Sequence, residues 1–251
     1  PEIRPALGAA FNLNGGAAVL EKLGLISVYR ELANPMKIVR SRRVSGDRFQ
    51  LMNIDIPRII REDPSARESL VSPTDGDELC GTVMRADLLR ALADELPPES
   101  LSLGREIVDI VERNADEGAR MVFADGSESE TYDLVIGTDG IRSKVREAMF
   151  GPYDAKYSGI RIIFGCTGEG DEVATNQARP PEEHGEMHQW FGDGCYTLVY
   201  TGGGEGNKQH NVAVCIADDD GGAARDENAA WKQLGKKKKK IAGVGGGKGE
   251  G

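Results

Sequence analysis

Apolar residues recur along this chain with two periods, and the switches between them mark out its elements. Across residues 15–23 they fall at helical spacing, with Ala18, Val19 and Leu23 near one face, Asn14 placed to cap the start and Gly24 to stop the end. Through 36–83 the spacing shortens to alternation, as in Gln50-Leu51-Met52-Asn53-Ile54, and Pro57, Pro64 and Pro73 interrupt it, which predicts short strands and turns. A second helix is predicted from Arg85, with Leu88, Leu92 and Leu96 on one stripe and Pro97-Pro98 beyond its end. Residues 105–113 and 119–124 alternate again, and Asp125-Gly126 after them is a strong hairpin signal.

The run Leu134-Val135-Ile136-Gly137 differs from these, because four consecutive apolar or small residues predict a strand covered on both faces. It leads through Thr138-Asp139-Gly140 to a helix start that Ser143 is placed to cap. Such a start presents backbone N–H groups that favour phosphate or ribose oxygens, and a carboxylate at Asp139 accepts hydrogen bonds from sugar hydroxyls. The same pattern also suits an ordinary strand-turn-helix corner. Beyond Gly151, the stretches 157–166, 185–192, 195–201 and 211–217 alternate between Gly, Asp and Pro turns and predict a large, mostly antiparallel sheet.

Composition narrows the function classes. With 251 residues and 39% hydrophobic content the chain buries a sizeable core, expected as two lobes. The excess of acidic over basic residues, a net charge of −10, argues against a general nucleic-acid binder. No run approaches the roughly eighteen apolar residues of a transmembrane segment. Cys80, Cys166, Cys195 and Cys215 follow no metal or disulfide spacing and read as reduced core residues. His184 and His188 lie four apart, but Gly185 and the aromatic strand after it argue against the helix that would bring both rings to one zinc ion, so no metal site is expected. With three histidines and no GxSxG elbow, a hydrolase triad has little support. Residues 235–251 are a low-complexity Lys/Gly tail, read as a solvated or out-of-frame end in preference to a polybasic contact for acidic lipid or nucleic acid.

Three stretches carry a family resemblance. The segment Asp133-Leu134-Val135-Ile136-Gly137-Thr138-Asp139-Gly140-Ile141-Arg142-Ser143-Lys144-Val145-Arg146 resembles the DG motif of the class A flavoprotein monooxygenases. Arg85-Ala86-Asp87-Leu88-Leu89-Arg90-Ala91-Leu92 is similar to that family's Arg-x-x-L helix, and Arg4-Pro5-Ala6-Leu7-Gly8-Ala9-Ala10-Phe11-Asn12-Leu13-Asn14 to the loop after its second strand. The resemblance implies that Asp139 contacts FAD and helps receive NAD(P)H, that Gly140 allows close backbone approach, and that Arg85 holds the FAD phosphates or ribose. It also implies that Val108 offers its backbone to adenine while its side chain joins the core, and that Arg142 lies near the nicotinamide cofactor or on the surface. A cation at the start of its helix, as Arg85 is, is electrostatically misplaced, and a ligand anion offsets the conflict. No catalytic side chain is assigned, since in such enzymes the flavin carries the hard chemistry.

The fold implied is α/β: an incomplete FAD/NAD(P)-binding Rossmann-like domain (1–35 and 81–152), a β-rich insertion (36–80), a second lobe built on a mostly antiparallel β-sheet on the substrate side (153–234), and the tail (235–251). The activity implied is that of an FAD-dependent monooxygenase using NAD(P)H and O2 to hydroxylate or epoxidise an aromatic or polyene substrate. Ile162, Phe164, Trp190 and Tyr200 are candidates for apolar pocket walls. A flavin-dependent oxidase or halogenase on the same scaffold, and a non-catalytic remnant that does not hold FAD, stay open. The family's opening βαβ unit with its GxGxxG turn and its later Gly-Asp FAD motif have no counterpart here. The chain is therefore expected to be an internal fragment that binds FAD weakly or not at all, soluble in the cytoplasm or an organelle, with the targeting region outside it. The expected partners are a small apolar or aromatic substrate and O2; nothing in the pattern sets the oligomeric state.

Overall fold

The computed structural model describes residues 9–44, 50–112, 118–166, 185–204 and 208–218, so that residues 1–8, His184 and everything after 218, the Lys/Gly tail included, lie outside the described residues. A small antiparallel sheet has the order β1-β5-β2, with β1 at Ala10–Asn12, β2 at Ala33–Pro35 and β5 at Gly81–Met84. Its central strand β5 is buried at all four positions because helices cover it. These are α1 (Gly16–Lys22), α2 (Ile26–Leu32) and α5 (Arg85–Asp94), and Ala17, Leu20, Tyr29, Val83 and Leu88 pack together with Leu79 as one core. Asn14 does not cap α1 with its side chain. Gly15 takes the cap position at a φ of 49°, and the Gly16 N–H turns back onto the Asn14 carbonyl, a tight path that glycine adopts without steric cost. Gly24, at φ 77°, ends the helix as its position predicts.

The large sheet has six strands in the order β4-β3-β9-β10-β11-β8, formed by β3 (Ile38–Arg43), β4 (Gln50–Asp55), β8 (Ile160–Cys166), β9 (Glu186–Phe191), β10 (Cys195–Gly202) and β11 (Gln209–Ala217). Every neighbouring pair is antiparallel except β3 and β9, which run parallel. The stretch 36–80 supplies two of these strands but is not purely β, since it also holds the helices α3 (Ile56–Glu62) and α4 (Pro64–Leu70). Two of the prolines that read as interruptions, Pro57 and Pro64, sit in the first turns of these helices, where a missing N–H costs nothing, and Pro73 lies in the turn beyond α4. Asp55 caps α3 by accepting from the Arg58 N–H at 2.9 Å, and Asp63 caps α4 by accepting from Ser65 at 2.9 Å.

One face of the large sheet, carrying Val39, Ile54, Met187, Leu198 and Tyr200, packs on Ala10, Met36, Ile56, Cys80 and Met84. The two sheets meet where glycine permits it: a Cβ on Gly202 would overlap that of Ala10, and one on Gly204 would overlap the Glu31 carbonyl. A further unit consists of the hairpin β6 (Ile107–Glu112) and β7 (Ala119–Phe123), packed against α6 (Lys144–Phe150). Gly126, at φ 80°, turns the chain after β7 so that Glu128 bridges back to Val122.

The predicted buried strand at 134–137 is not a strand in the structure. Tyr132 bridges to Ala119, but beyond it the chain runs without ladder pairing, leaving Leu134 73% and Ile136 76% exposed. An unbroken apolar run does signal two faces that need cover. Among the described residues no strand lies beside this one to pair its backbone or shield its side chains. The cysteines also divide: Cys80 and Cys215 are buried as expected, whereas Cys166 and Cys195 are exposed free thiols. No helix among the described residues is long and apolar enough to cross a membrane.

Candidate functional site

Asp139 stands at the start of a single 3-10 turn, Gly140–Arg142, which runs directly into α6. Its Oδ1 accepts from the Ser143 hydroxyl at 2.6 Å, and its Oδ2 accepts from the backbone N–H groups of Lys144 at 2.6 Å and Val145 at 3.5 Å. Ser143 in turn accepts from the Arg146 N–H at 3.0 Å, so it caps α6 as its position predicts and Asp139 braces the cap from outside. The Ser143 hydroxyl, followed by the Lys144 amide, holds the Asp139 carboxyl below the usual carboxylate range and keeps it ionised at neutral pH. The side chain is nonetheless exposed, and a carboxylate has about four acceptor positions, so both oxygens retain capacity for hydroxyl donors.

Gly140 has a φ of 79°, and no atom lies within 4 Å of where a Cβ would stand, so the backbone is open to close approach. Gly137 is small for the opposite reason, since a Cβ there would lie 2.5 Å from that of Val145. Beside the turn is a groove of about 450 Å³, with Val135, Ile136, Gly140, Ser143, Arg146 and Phe150 in its lining. Arg146, which sequence reasoning passed over, braces the turn by donating to the carbonyls of Gly140 at 3.3 Å and Ile141 at 2.5 Å, and its guanidinium lies over the Tyr153 ring. Its Nε is buried without a hydrogen-bond partner among the described residues. The site thus offers an ionised acceptor beside a groove of mixed polar and apolar lining that holds an orphaned cationic donor and open backbone.

The other expected site residues are placed as follows. Asp139, Gly140 and Arg142 share the turn, and Arg142 is exposed. Val108 lies on β6, the strand against which α6 packs, at a shift in register between Ile107 and Asp109. The bulge leaves Val108 outside the pairing with β7 and turns its side chain outward, so that it is 40% exposed instead of joining the core as expected. Arg85 is the exposed first residue of α5, which packs mainly on β5 and α2 and so belongs to the small-sheet unit.

Two polar clusters lie apart from this groove. At the end of β1 the Asn12 amide donates to the Cys80 sulfur and the Cys80 thiol to the Asn14 side chain, each at 4.0 Å, while the Asn12 Oδ1 is buried without a partner among the described residues. Burial pushes the Cys80 thiol up, which makes it a poor nucleophile. Across the parallel seam, Arg40 holds Glu186 through two contacts of 2.9 Å, and His188 sits 3.0 Å from Glu186 and 2.9 Å from Arg42. Arg40 is the main reason the Glu186 carboxyl is held low. His188 is thus engaged in cross-strand pairing, and among the described residues no group of three His, Cys, Asp or Glu side chains is placed to hold a metal ion. The four residues considered as pocket walls do not share a face. Register puts Ile162, Phe164 and Tyr200 on the core-facing side, whereas Trp190 stacks on His188 on the other.

The fold is similar to that of solved FAD-dependent hydroxylases. The HpxO protein of Klebsiella pneumoniae, solved with FAD and uric acid, superposes with a TM-score of 0.66 over 92% of this chain and 52% of its own, at 17% identity. In sequence the chain is similar to FAD-dependent monooxygenases. It is 41% identical over 136 residues to a dual trans-enoyl reductase/FAD-dependent monooxygenase of Aspergillus terreus, covering 53% of this chain and 19% of that one. It is 31% identical over 152 residues to the 3-amino-4-hydroxybenzoate 2-monooxygenase of Streptomyces cremeus, covering 59% and 36%. No protein-family model matches the chain. The chain spans about half the length of the solved neighbour and less than two fifths of these two curated relatives.

Proposed function

We propose that this chain is part of an FAD-dependent monooxygenase that uses NAD(P)H and O2 to hydroxylate or epoxidise a small aromatic or polyene substrate. The observation that carries the reading is the Asp139 turn, whose sequence follows the family motif and whose geometry suits a dinucleotide. An exposed ionised carboxylate receives ribityl or ribose hydroxyls, Gly140 admits close contact, and the orphaned Arg146 Nε supplies a donor. When bound, FAD supplies the redox chemistry and the activation of O2, and this chain's residues bind and orient it. Arg85 answers the phosphates or ribose, Val108 offers backbone groups freed by its bulge to adenine, and Arg142 stands exposed on the side where NAD(P)H arrives. Ile162 and Phe164, exposed on β8 along the core-facing side of the large sheet, supply an apolar side for substrate.

The exposed run at 134–137 supports weak FAD binding by this chain alone, because the segment that leads into the Asp139 turn is uncovered and so poorly fixed. Titration of the purified 251-residue chain with FAD, followed by the visible flavin absorption, tests both statements. Saturable binding that is lost on gel filtration, and that Asp139→Ala weakens at least tenfold, is the expected result. A colour that stays stoichiometric through purification overturns the weakness. No saturable signal at millimolar FAD overturns the assignment of this chain as a flavin-binding unit.

A further inference from the structure

Asn211 is out of place by ordinary strand chemistry: it is 1% exposed, on the core-facing side of β11, where Tyr200 and Cys166 are its register partners and Ala213 is the next residue on that face. Such a residue is retained at a cost unless its amide is fully used. Here it is. The Asn211 Oδ1 accepts from the Ala10 N–H at 2.9 Å, and its Nδ2 donates to the Gln209 carbonyl at 3.0 Å and faces the Met84 sulfur at 4.0 Å. Ala10 and Met84 are register partners on β1 and β5. Among the described residues β1 is an edge of the small sheet with no strand to pair the outward N–H of Ala10, and a side chain of the large sheet takes that place. Tyr200 grips the same residue from beside Asn211, its hydroxyl donating to the Ala10 carbonyl at 2.5 Å.

What hangs on this joint is the cofactor side. Met84 is the residue immediately before Arg85 and the cap of α5, and β1 runs on to the turn that opens α1. We infer that Asn211 is a positioning residue that fixes the start of α5 against the large sheet and thereby sets where the Arg85 guanidinium meets the phosphates of FAD. The inference rests on the flavin reading of Arg85. It makes Asn211 a link between the substrate-side sheet and the cofactor side, acting through one backbone N–H and one thioether.

A double-mutant cycle on FAD affinity tests it, with FAD itself as the probe and the 251-residue chain as the protein. Asn211→Leu, similar in size and without hydrogen bonds, is expected to weaken FAD binding about tenfold when Arg85 is present and less than twofold in an Arg85→Ala background. A merely structural loss lowers affinity equally in both backgrounds, and that additive result overturns the inference alone. If Asn211→Leu fails to fold by circular dichroism, Tyr200→Phe, which removes only the hydroxyl on Ala10, is carried through the same cycle with the same criterion. If the unmutated chain shows no saturable FAD binding, the flavin reading fails and this inference with it.

Discussion

The contact between the two sheets gives the sharpest stability prediction, because two glycines of the same large sheet differ only in what surrounds them. A Cβ added at Gly202 overlaps that of Ala10 and lies 3.3 Å from the Asn211 amide nitrogen, whereas one added at Gly165 meets no atom within 4 Å. Neither glycine has a positive φ, so alanine adopts both backbones, and each substitution gains the same roughly 0.5–1 kcal/mol from reduced unfolded-state entropy. The difference between them isolates packing. Gly165→Ala is expected to be neutral or stabilising by up to about 1 kcal/mol. Gly202→Ala has to push β10 from β1 at a buried joint, and overpacking of this kind costs about 2–3 kcal/mol net. For a chain of this size that lowers Tm by roughly 4–12 °C, measured by circular dichroism at a fixed heating rate. Equal melting temperatures for the two variants would refute the claim that β10 and β1 are in van der Waals contact there.

Two further outcomes are expected around the Asp139 turn. Ser143→Ala removes the acceptor for the Arg146 N–H and the donor to Asp139, and should cost about 1 kcal/mol in urea unfolding; an unchanged midpoint contradicts the double cap. The Asp139 carboxyl is held below its ordinary value of about 3.9 in the folded chain, so its bracing is complete above that pH and is lost as pH falls through the lower folded value. Hydrogen exchange at the Lys144 and Val145 amides, corrected for intrinsic rates, should therefore lose protection only below about pH 4, and Asp139→Asn should abolish that pH dependence; protection that does not change with pH contradicts the bond.

Most strands were legible because alternation survives wherever one face is covered. The runs containing Glu186–Phe191, Cys195–Gly202 and Gln209–Ala217 alternate, and they pair as expected. Local chemistry that competes with a simple reading was harder. Pro57 and Pro64 look like interruptions until the preceding Asp55 and Asp63 are read as helix caps, a signal present in the sequence and outweighed by the alternation around it. The failure at 134–137 has a different origin, since periodicity reports the cover a segment needs and says nothing about whether a neighbour is at hand. Of the site, Asp139, Gly140 and Ser143 were legible from residue type and order. Arg146 was not, because its role comes from a guanidinium folding back over one helical turn. Asn211 depends on register between two sheets, which no local pattern encodes.

The parallel seam between β3 and β9 has a consequence for how the chain is made. Arg40 and Glu186 are 146 residues apart, and among the described residues β9 is the strand that covers this edge of β3, so two of the six strands of the large sheet have to wait for the partner that joins them to the rest. At ribosomal speeds of about 5–20 residues per second that wait is roughly 7–30 s, far longer than a hairpin takes to form. During that interval the β3–β4 pair carries a bare edge, the kind of unpaired strand that other chains can pair with.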